Sequence, residues 1–384
     1  MMSLLLYHYI ILGFLSLLFA VLISNLIYVK ALKPGARPTV FPLVSILVPA
    51  RNEAENVELC VRSLLGQDYP HFELVVLDDH SEDETLAILK NIAAQDSRLK
   101  VLCGEALPVE WLGKCFACQQ LAAHAQGEYL LFTDADTTHQ PGVLTSVMAA
   151  REEDDAAFLT LITGFEMKTW AEKLILPLIH FIAMVSFPFF LAEFFKKPFF
   201  SIGNGQFMLF RRDVYKAIGG HESVRSAMVE DIWLARRVKA AGFSLSIRDG
   251  SKAVSCRMYR DLSGIWEGFS KNLFAAVNFS LGGLIAVVLF FILVYLAPPV
   301  LLGVELWRPH EILSWFFPMA ETLLVFGMRL LLAFRFRLGV LSSFFHPFGI
   351  LIVLGIALNS AVRILQGRGV VWKRRTYRFY SQKL

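Results

Sequence analysis

Acidic residues in close pairs carry most of the chemistry this sequence can do. Asp134 and Asp136 flank Ala135 in a D-x-D. On extended chain, alternate side chains point the same way, so both carboxylates would face one ligand. Two hard oxygen donors suit Mg2+ or Mn2+, ions that also take phosphate oxygens, and a divalent ion beside a phosphate acts as a Lewis acid. The plain alternative is a solvated acidic turn. Asp78 and Asp79 close an apolar run. Lys114 follows Gly113 at the start of a helical pattern, where an ammonium and a helix N-terminus together favour phosphate; the alternative is a surface lysine. Glu230 and Asp231 open another helical pattern, a place where acids also complement the macrodipole. Ser81 and Glu84 stand at capping-box spacing.

The elements that position these residues follow from periodicity. Residues 43–49 (LVSILVP), 72–77 (FELVVL), 99–102 and 129–132 are short apolar runs that predict strands. Between them, residues 52–66, 84–95 and 115–125 show helical spacing, and residues 232–241 form a further helix ending at Gly242. Strand and helix alternation predicts an α/β fold with a mostly parallel sheet. In such sheets ligands bind beyond the carboxyl ends of the strands. That rule selects Pro49, Ala50, Arg51, Asn52 and Glu53 after the first strand, Asp78 and Asp79 after the second, and Asp134 to Asp136 after the fourth. No G-x-G-x-x-G follows the first strand and no P-loop motif is present, so dinucleotide and P-loop readings lack their main cue.

Five segments in order, PARNE (49–53), VVLDDHSEDET (75–85), GKCFACQQLA (113–122), GEYLLFTDADT (127–137) and VEDIWLARRVKAAG (229–242), resemble the family 2 glycosyltransferases of the GT-A fold. The resemblance covers about residues 43–250. It implies that Asp78, Asp79 and the 49–53 segment contact the base and ribose of a nucleotide-sugar donor. It places Lys114 near that donor, and Asp134 and Asp136 on the metal and its diphosphate. It also implies that Asp231 is the general base for an acceptor hydroxyl, with Glu230 as the fallback, and that the anomeric carbon inverts. Gly203, Asn204 and Gly205, in the run 201–206, are candidates for the acceptor side or for an ordinary turn.

The pattern departs from the processive synthases of that family, which carry Q-x-x-R-W after the acidic pair. Here the sequence reads Arg257-Met258-Tyr259-Arg260, then Trp266-Glu267-Gly268 and Lys271-Asn272. This resembles the carotenoid glycosyltransferases (4,4′-diaponeurosporenoate or chlorobactene type) and the hopanoid-associated ones, as does the tail from Trp372 through Lys373, Arg374, Arg375 and Thr376 to Tyr377. Arg257 or Lys271 is a candidate phosphate contact; for Lys271 the alternative is a membrane-edge anchor. One sugar per event is expected rather than a polymer.

Composition adds a membrane. Of 384 residues, 55% are hydrophobic and 18% charged, with a mean hydropathy of +0.53. Residues 4–29 carry no Lys, Arg, Asp or Glu, enough to span a bilayer. A long apolar region without a basic leader or cleavage site predicts a retained anchor. Lys30, Lys33 and Arg37 follow it, which puts the next domain in the cytoplasm. Three more apolar stretches lie near 273–304, 312–333 and 338–362. The second is short and interrupted by Glu321. Arg329, Arg335 and Arg337 precede the third, and Arg363, Arg368, Lys373, Arg374, Arg375 and Arg378 follow it. Three full crossings cannot put both basic groups inside, so the number of crossings stays open. The segment 174–200, with Pro177, His180, Pro188, several phenylalanines and Lys196-Lys197 at its end, is expected to lie in the interface; a buried core helix is the alternative.

The expected organisation is therefore an anchor and linker (1–37), a cytoplasmic GT-A domain (38–272), C-terminal transmembrane helices (273–365) and a basic tail (366–384). Five cysteines, an odd count in a long chain, argue against a disulfide framework. Cys115 and Cys118 form one C-x-x-C without a second pair, so a zinc site is not expected. A net charge of +4 with no basic domain excludes nucleic acid as a partner. The expected partners are a nucleotide-sugar donor, a lipid acceptor, with a carotenoid as first choice, and the bilayer. A scaffold without catalysis and a transporter are the rivals from other classes; the acidic residues outside the apolar spans weigh against both. Nothing in the sequence defines an oligomeric state.

Overall fold

The computed structural model describes residues 2–186, 188–195, 198–271, 273–277, 279–307, 312–366, 370–373 and 375–377. Lys196, Lys197, Asn272, Arg368, Arg374 and Arg378 lie outside the described residues. The chain divides into two compact units. One comprises Met1–Ile27, Met167–Pro188 and Tyr259–Leu384; the other comprises Tyr28–Glu166 and Phe189–Met258. The division is not linear: residues 167–188 and those from Tyr259 onward group with the N-terminal helix, while Tyr28 onward groups with the sheet.

The second unit is built on a sheet. Its strands are β1 (Val44–Ala50), β2 (Phe72–Asp78), β3 (Leu99–Cys103), β4 (Tyr129–Phe132), β5 (Thr137–His139), β6 (Phe158–Ile162), β7 (Gly164–Phe165), β8 (Met208–Arg211), β9 (Leu245–Asp249) and β10 (Val254–Cys256). Seven of them form one sheet in the order β3-β2-β1-β4-β8-β6-β9. The pairs β1–β2, β1–β4, β2–β3 and β6–β9 are parallel, and only β8 runs against its neighbours. A mostly parallel α/β sheet is thus what the alternation predicted. β1 and β2 are almost wholly buried, as expected of strands covered on both faces. One face packs on the helices Val57–Leu65 and Val143–Glu153, through Val57, Val61, Leu64, Val147 and Met148. The other packs on Gly113–His124 and Glu230–Ala240, through Ala117, Cys118, Leu121, Leu234 and Val238.

A smaller sheet, β5-β10-β7, supports the residues just past β4. β10 runs antiparallel to β5, with Cys256 opposite Thr137.

The other unit is helical. Among the described residues, four helices are long and apolar enough to cross a membrane: Leu4–Tyr28, Leu281–Trp307, Trp315–Phe336 and His346–Leu365. The sequence treated the second C-terminal stretch as short and broken by Glu321. The structure corrects this: the helix runs Ile312–Phe336, and Glu321 is fully buried with Oε1 3.0 Å from His8 Nδ1. A paired carboxylate does not interrupt a helix, and proline tolerance is similar, since Pro318 lies inside it. The 174–200 segment forms the short helices Trp170–Ile175, Pro177–Ser186 and Leu191–Phe194. Thr169 and Glu172 cap the first with a reciprocal box. Leu178, Phe181, Met184 and Val185 are buried; at 10 residues the helix Pro177–Ser186 is too short to cross a bilayer.

Candidate active site

The site grows from the ends of β1, β2 and β4. After β1 the chain turns sharply, with Asn52 at a φ of 51°. Pro49 and Ala50 are the last strand residues, and the Ala50 carbonyl accepts from Asp79 N at 2.8 Å. Arg51 is buried and donates to the carbonyls of Asp79 and His80. Asn52 N donates to Ser81 Oγ at 3.0 Å, and Asn52 Oδ1 accepts from Glu82 N at 2.8 Å. Glu53 N donates to Thr85 Oγ1 at 2.8 Å. Two loops predicted separately therefore lock into one platform. Ser81 is not the helix cap expected from its spacing: Asp83 Oδ1 accepts from Thr85 N instead, at 3.0 Å, leaving Ser81 to hold Asn52. Asp78 and Asp79 are buried in this platform, and Asp78 Oδ1 has no hydrogen-bond partner among the described residues.

Asp134, Ala135 and Asp136 leave β4 as a turn rather than as extended chain. The alternation argument for a shared direction therefore fails, but the carboxylates still share a neighbourhood. Burial first, then the charges of Asp134 and Glu53, push the Asp136 carboxyl up to about 7. Buried Cys256 stands beside it, and Arg257 N donates to the Asp136 carbonyl at 3.2 Å. Asp136 Oδ1 is buried without a hydrogen-bond partner among the described residues. Such negative potential, with an orphaned oxygen, fits a divalent cation. Among the described residues no group of three or more His, Cys, Asp or Glu forms a metal site, so a cation here needs ligands from elsewhere, and donor phosphates are suitable.

Lys114 ties this region to the acids of the next helix. Its Nζ lies 2.7 Å from Asp134 Oδ1 and 2.9 Å from Glu230 Oε1. Burial opposes its charge, but Asp134 and Glu230 hold its pKa well above the ordinary lysine range. Burial likewise raises Glu230, yet Lys114, by charge and by hydrogen bond, brings it below the usual carboxylate range. Asp231 goes the other way. Burial and the adjacent Glu230 push it up to about 6. Two neighbouring carboxylates with opposed shifts are chemically suited to separate acid–base roles. Asp231 Oδ2 accepts from Gly205 N at 2.9 Å and Oδ1 from Ile232 N at 2.8 Å, which fix its orientation.

The run 201–206 makes that packing possible. A methyl group on Gly203 would sit 2.3 Å from the Asp231 carbonyl oxygen, and one on Gly205 would sit 2.9 Å from Lys114 Nζ. Asn204 serves the framework: its amide donates to the Leu161 carbonyl at 2.9 Å and to Thr163 Oγ1 at 3.2 Å. Lys271 closes the helix Leu262–Ser270 in the helical unit. Cys115 and Cys118 are buried thiols, and Cys115 Sγ donates to the Val224 carbonyl at 3.6 Å. Sequence reasoning missed Cys256, which stands one residue before Arg257; only the pairing of β10 with β5 brings it to Asp136.

The mostly parallel sheet, with acidic residues at its strand ends, has the GT-A fold that the comparisons below show. Residues 45–219 match the glycosyl transferase family 2 model. TuaG of Bacillus subtilis, a glycosyltransferase assigned to teichuronic acid biosynthesis, is 32% identical over 126 residues, covering 33% of this chain and 48% of that protein. The 4,4'-diaponeurosporenoate glycosyltransferase of Staphylococcus aureus is 25% identical over 235 residues, 60% of each chain. The chain thus spans about half to three fifths of the length of these relatives. Among solved structures, the Pyrobaculum calidifontis mannosyltransferase PcManGT, in complex with GDP-Man and Mn2+, superposes with a TM-score of 0.56 at 18% identity, over 95% of this chain and 97% of that one. That likeness concerns the fold.

Proposed function

We propose that this chain transfers a single hexose from a nucleoside-diphosphate sugar, UDP-glucose as first choice, to a hydroxyl or carboxyl oxygen of a lipid, a carotenoid as first choice. The observation that carries the proposal is the continuous acidic cluster bridged by Lys114, in which Asp231 alone among the pair is poised near neutrality. The nucleotide would lie on the platform of residues 49–53 with Asp78 and Asp79. Asp134 and Asp136 would hold Mg2+ or Mn2+ with the diphosphate, and the ion would offset the charge of the leaving group.

Asp231 accepts the proton of the acceptor hydroxyl as that oxygen attacks the anomeric carbon. The bond from that carbon to the diphosphate oxygen breaks, and the diphosphate leaves with the electron pair. One displacement inverts the anomeric carbon. Lys114 holds Glu230 charged and positions Asp134, so that the proton goes to Asp231. The domain at 38–272 would face the cytoplasm, on the strength of Lys30, Lys33 and Arg37 beside the first span, in a multi-pass protein of the cell membrane. The 25% identity to a carotenoid glycosyltransferase supports the acceptor class.

The test is a transfer assay with the purified full chain, UDP-glucose, Mg2+ or Mn2+ and a fractionated lipid extract, read by mass spectrometry. A carotenoid heavier by one hexose, lost with chelator and in Asp231→Asn, is expected. A hexosylated hopanoid, glycerolipid or polyprenyl phosphate would replace the acceptor. Absence of any product from folded protein, across nucleotide sugars and lipids, would overturn the proposal.

A further inference from the structure

The helical unit buries a cation that the proposed chemistry does not use. Arg329 lies in the candidate span Trp315–Phe336, yet it is 2% exposed. It therefore does not reach toward an interface as long basic side chains at span ends do. Among the described residues its Nε and Nη1 have no hydrogen-bond partner, and the same holds for both ring nitrogens of His346, which is fully buried. Glu321, on the same helix, is no counter-ion. It stands eight residues away, about 12 Å along the axis, and faces His8.

Phe181 joins the two. Arg329 Cζ lies 5.8 Å from its ring centroid, and the His346 ring lies 5.0 Å away, edge to face. Tyr295 completes the group, 5.4 Å from Phe181 and 5.6 Å from His346. Tyr295 sits in a π-helical turn, Ile292–Leu296, just before Pro298 and Pro299. Those prolines lack N–H groups and their rings crowd the preceding carbonyls, which widens the turn. Such turns recur at functional sites.

A buried guanidinium without a counter-charge is costly, and its presence inside a span points to function. From this geometry we infer that Arg329, with His346, forms a subsite for the anionic headgroup of a lipid, a carboxylate or a phosphate on an apolar chain. The planar fork of arginine matches either group, and Phe181 and Tyr295 provide apolar surface for the chain that follows. The inference deepens the lipid-acceptor reading and rests on it only in naming the acceptor as one source of the anion; an acidic bilayer lipid is the other.

The test uses the full chain in phosphatidylcholine nanodiscs. Pyrene-labelled phosphatidic acid and a long-chain fatty acid are compared with the matching diacylglycerol and fatty alcohol, and with inorganic phosphate. The wild type is expected to prefer the acidic lipids by about tenfold or more, and Arg329→Met to lose that preference. Because Met replaces an unpaired buried charge, R329M is also expected to melt at a higher temperature without lipid. A wild type with no preference for acidic over neutral lipid overturns the inference without any variant, as does an R329M protein that keeps the preference or melts lower. Asp231→Asn should keep the preference while losing transfer, so the subsite can stand if the transfer proposal falls. A raised KM for an acidic acceptor in Arg329→Lys assigns the anion to the acceptor; stimulation of a neutral acceptor's transfer by phosphatidic acid assigns it to the bilayer.

Discussion

Lys114 Nζ stands 2.9 Å from Glu230 Oε1, and the same ammonium reaches Asp134 Oδ1 at 2.7 Å. One cation thus spans the gap between the turn after β4 and the start of the helix Glu230–Ala240. It keeps Glu230 charged and lowers Asp231 from where burial and Glu230 would otherwise leave it. Lys114→Gln removes both effects. Transfer at pH 7 is expected to fall by about 10²-fold, within the range of a disturbed general base. The acid limb of the rate profile should move to higher pH, because Asp231 would bind its proton more tightly. A steady-state pH series on the variant checks both.

In the wild type, Asp231 accepts a proton only as the carboxylate. With its pKa pushed up to about 6 by burial and Glu230, the reactive form grows as pH rises. kcat/KM is expected to increase tenfold per pH unit below about 6 and level off above it. A profile flat from pH 5 to 8 would remove Asp231 as the base.

The two glycines before the acidic pair should respond differently to the same added methyl. At Gly203 it meets the Asp231 backbone, 2.3 Å from the carbonyl oxygen, and backbone must move. Gly203→Ala should cost about 10²-fold in rate, the scale of a 1 Å misplacement. At Gly205 the methyl meets the flexible end of Lys114 at 2.9 Å, which can shift. Gly205→Ala should lose less than about tenfold. Circular dichroism on both verifies folding.

Asp136 pairs badly with its surroundings in the metal-free protein, since Asp134 and Glu53 repel it and its Oδ1 lacks a hydrogen-bond partner among the described residues. Asp136→Asn is expected to melt at a higher temperature than the wild type in chelator. It should also lose activity, and Mn2+ should no longer raise its melting temperature. Differential scanning fluorimetry with and without Mn2+ separates these outcomes. Stabilisation by removing a functional charge is the usual trade at such sites.

The strands were legible because they are short apolar runs: β4 was predicted at 129–132 and is Tyr129–Phe132, and β2 gained only Asp78. The D-x-D and the Glu230-Asp231 pair were legible as motifs. What joins them was not. Lys114, Asp134 and Glu230 are far apart in sequence and meet only because the helices Gly113–His124 and Glu230–Ala240 pack on one sheet face. Ser81 shows the limit of local rules, since its spacing fits a cap but a non-local N–H from Asn52 claims its hydroxyl. The same holds for Glu321, read as a break in an apolar stretch until His8 supplied its partner.

The central claim is that Asp231 takes the acceptor proton at a donor site it does not itself build. The most direct measurement combines the transfer rate of Asp231→Asn with calorimetric binding of the nucleotide sugar in the presence of Mn2+. The account predicts a fall in kcat of about 10² to 10⁴ with donor affinity unchanged. Transfer at the wild-type rate, or loss of donor binding together with activity, would contradict it.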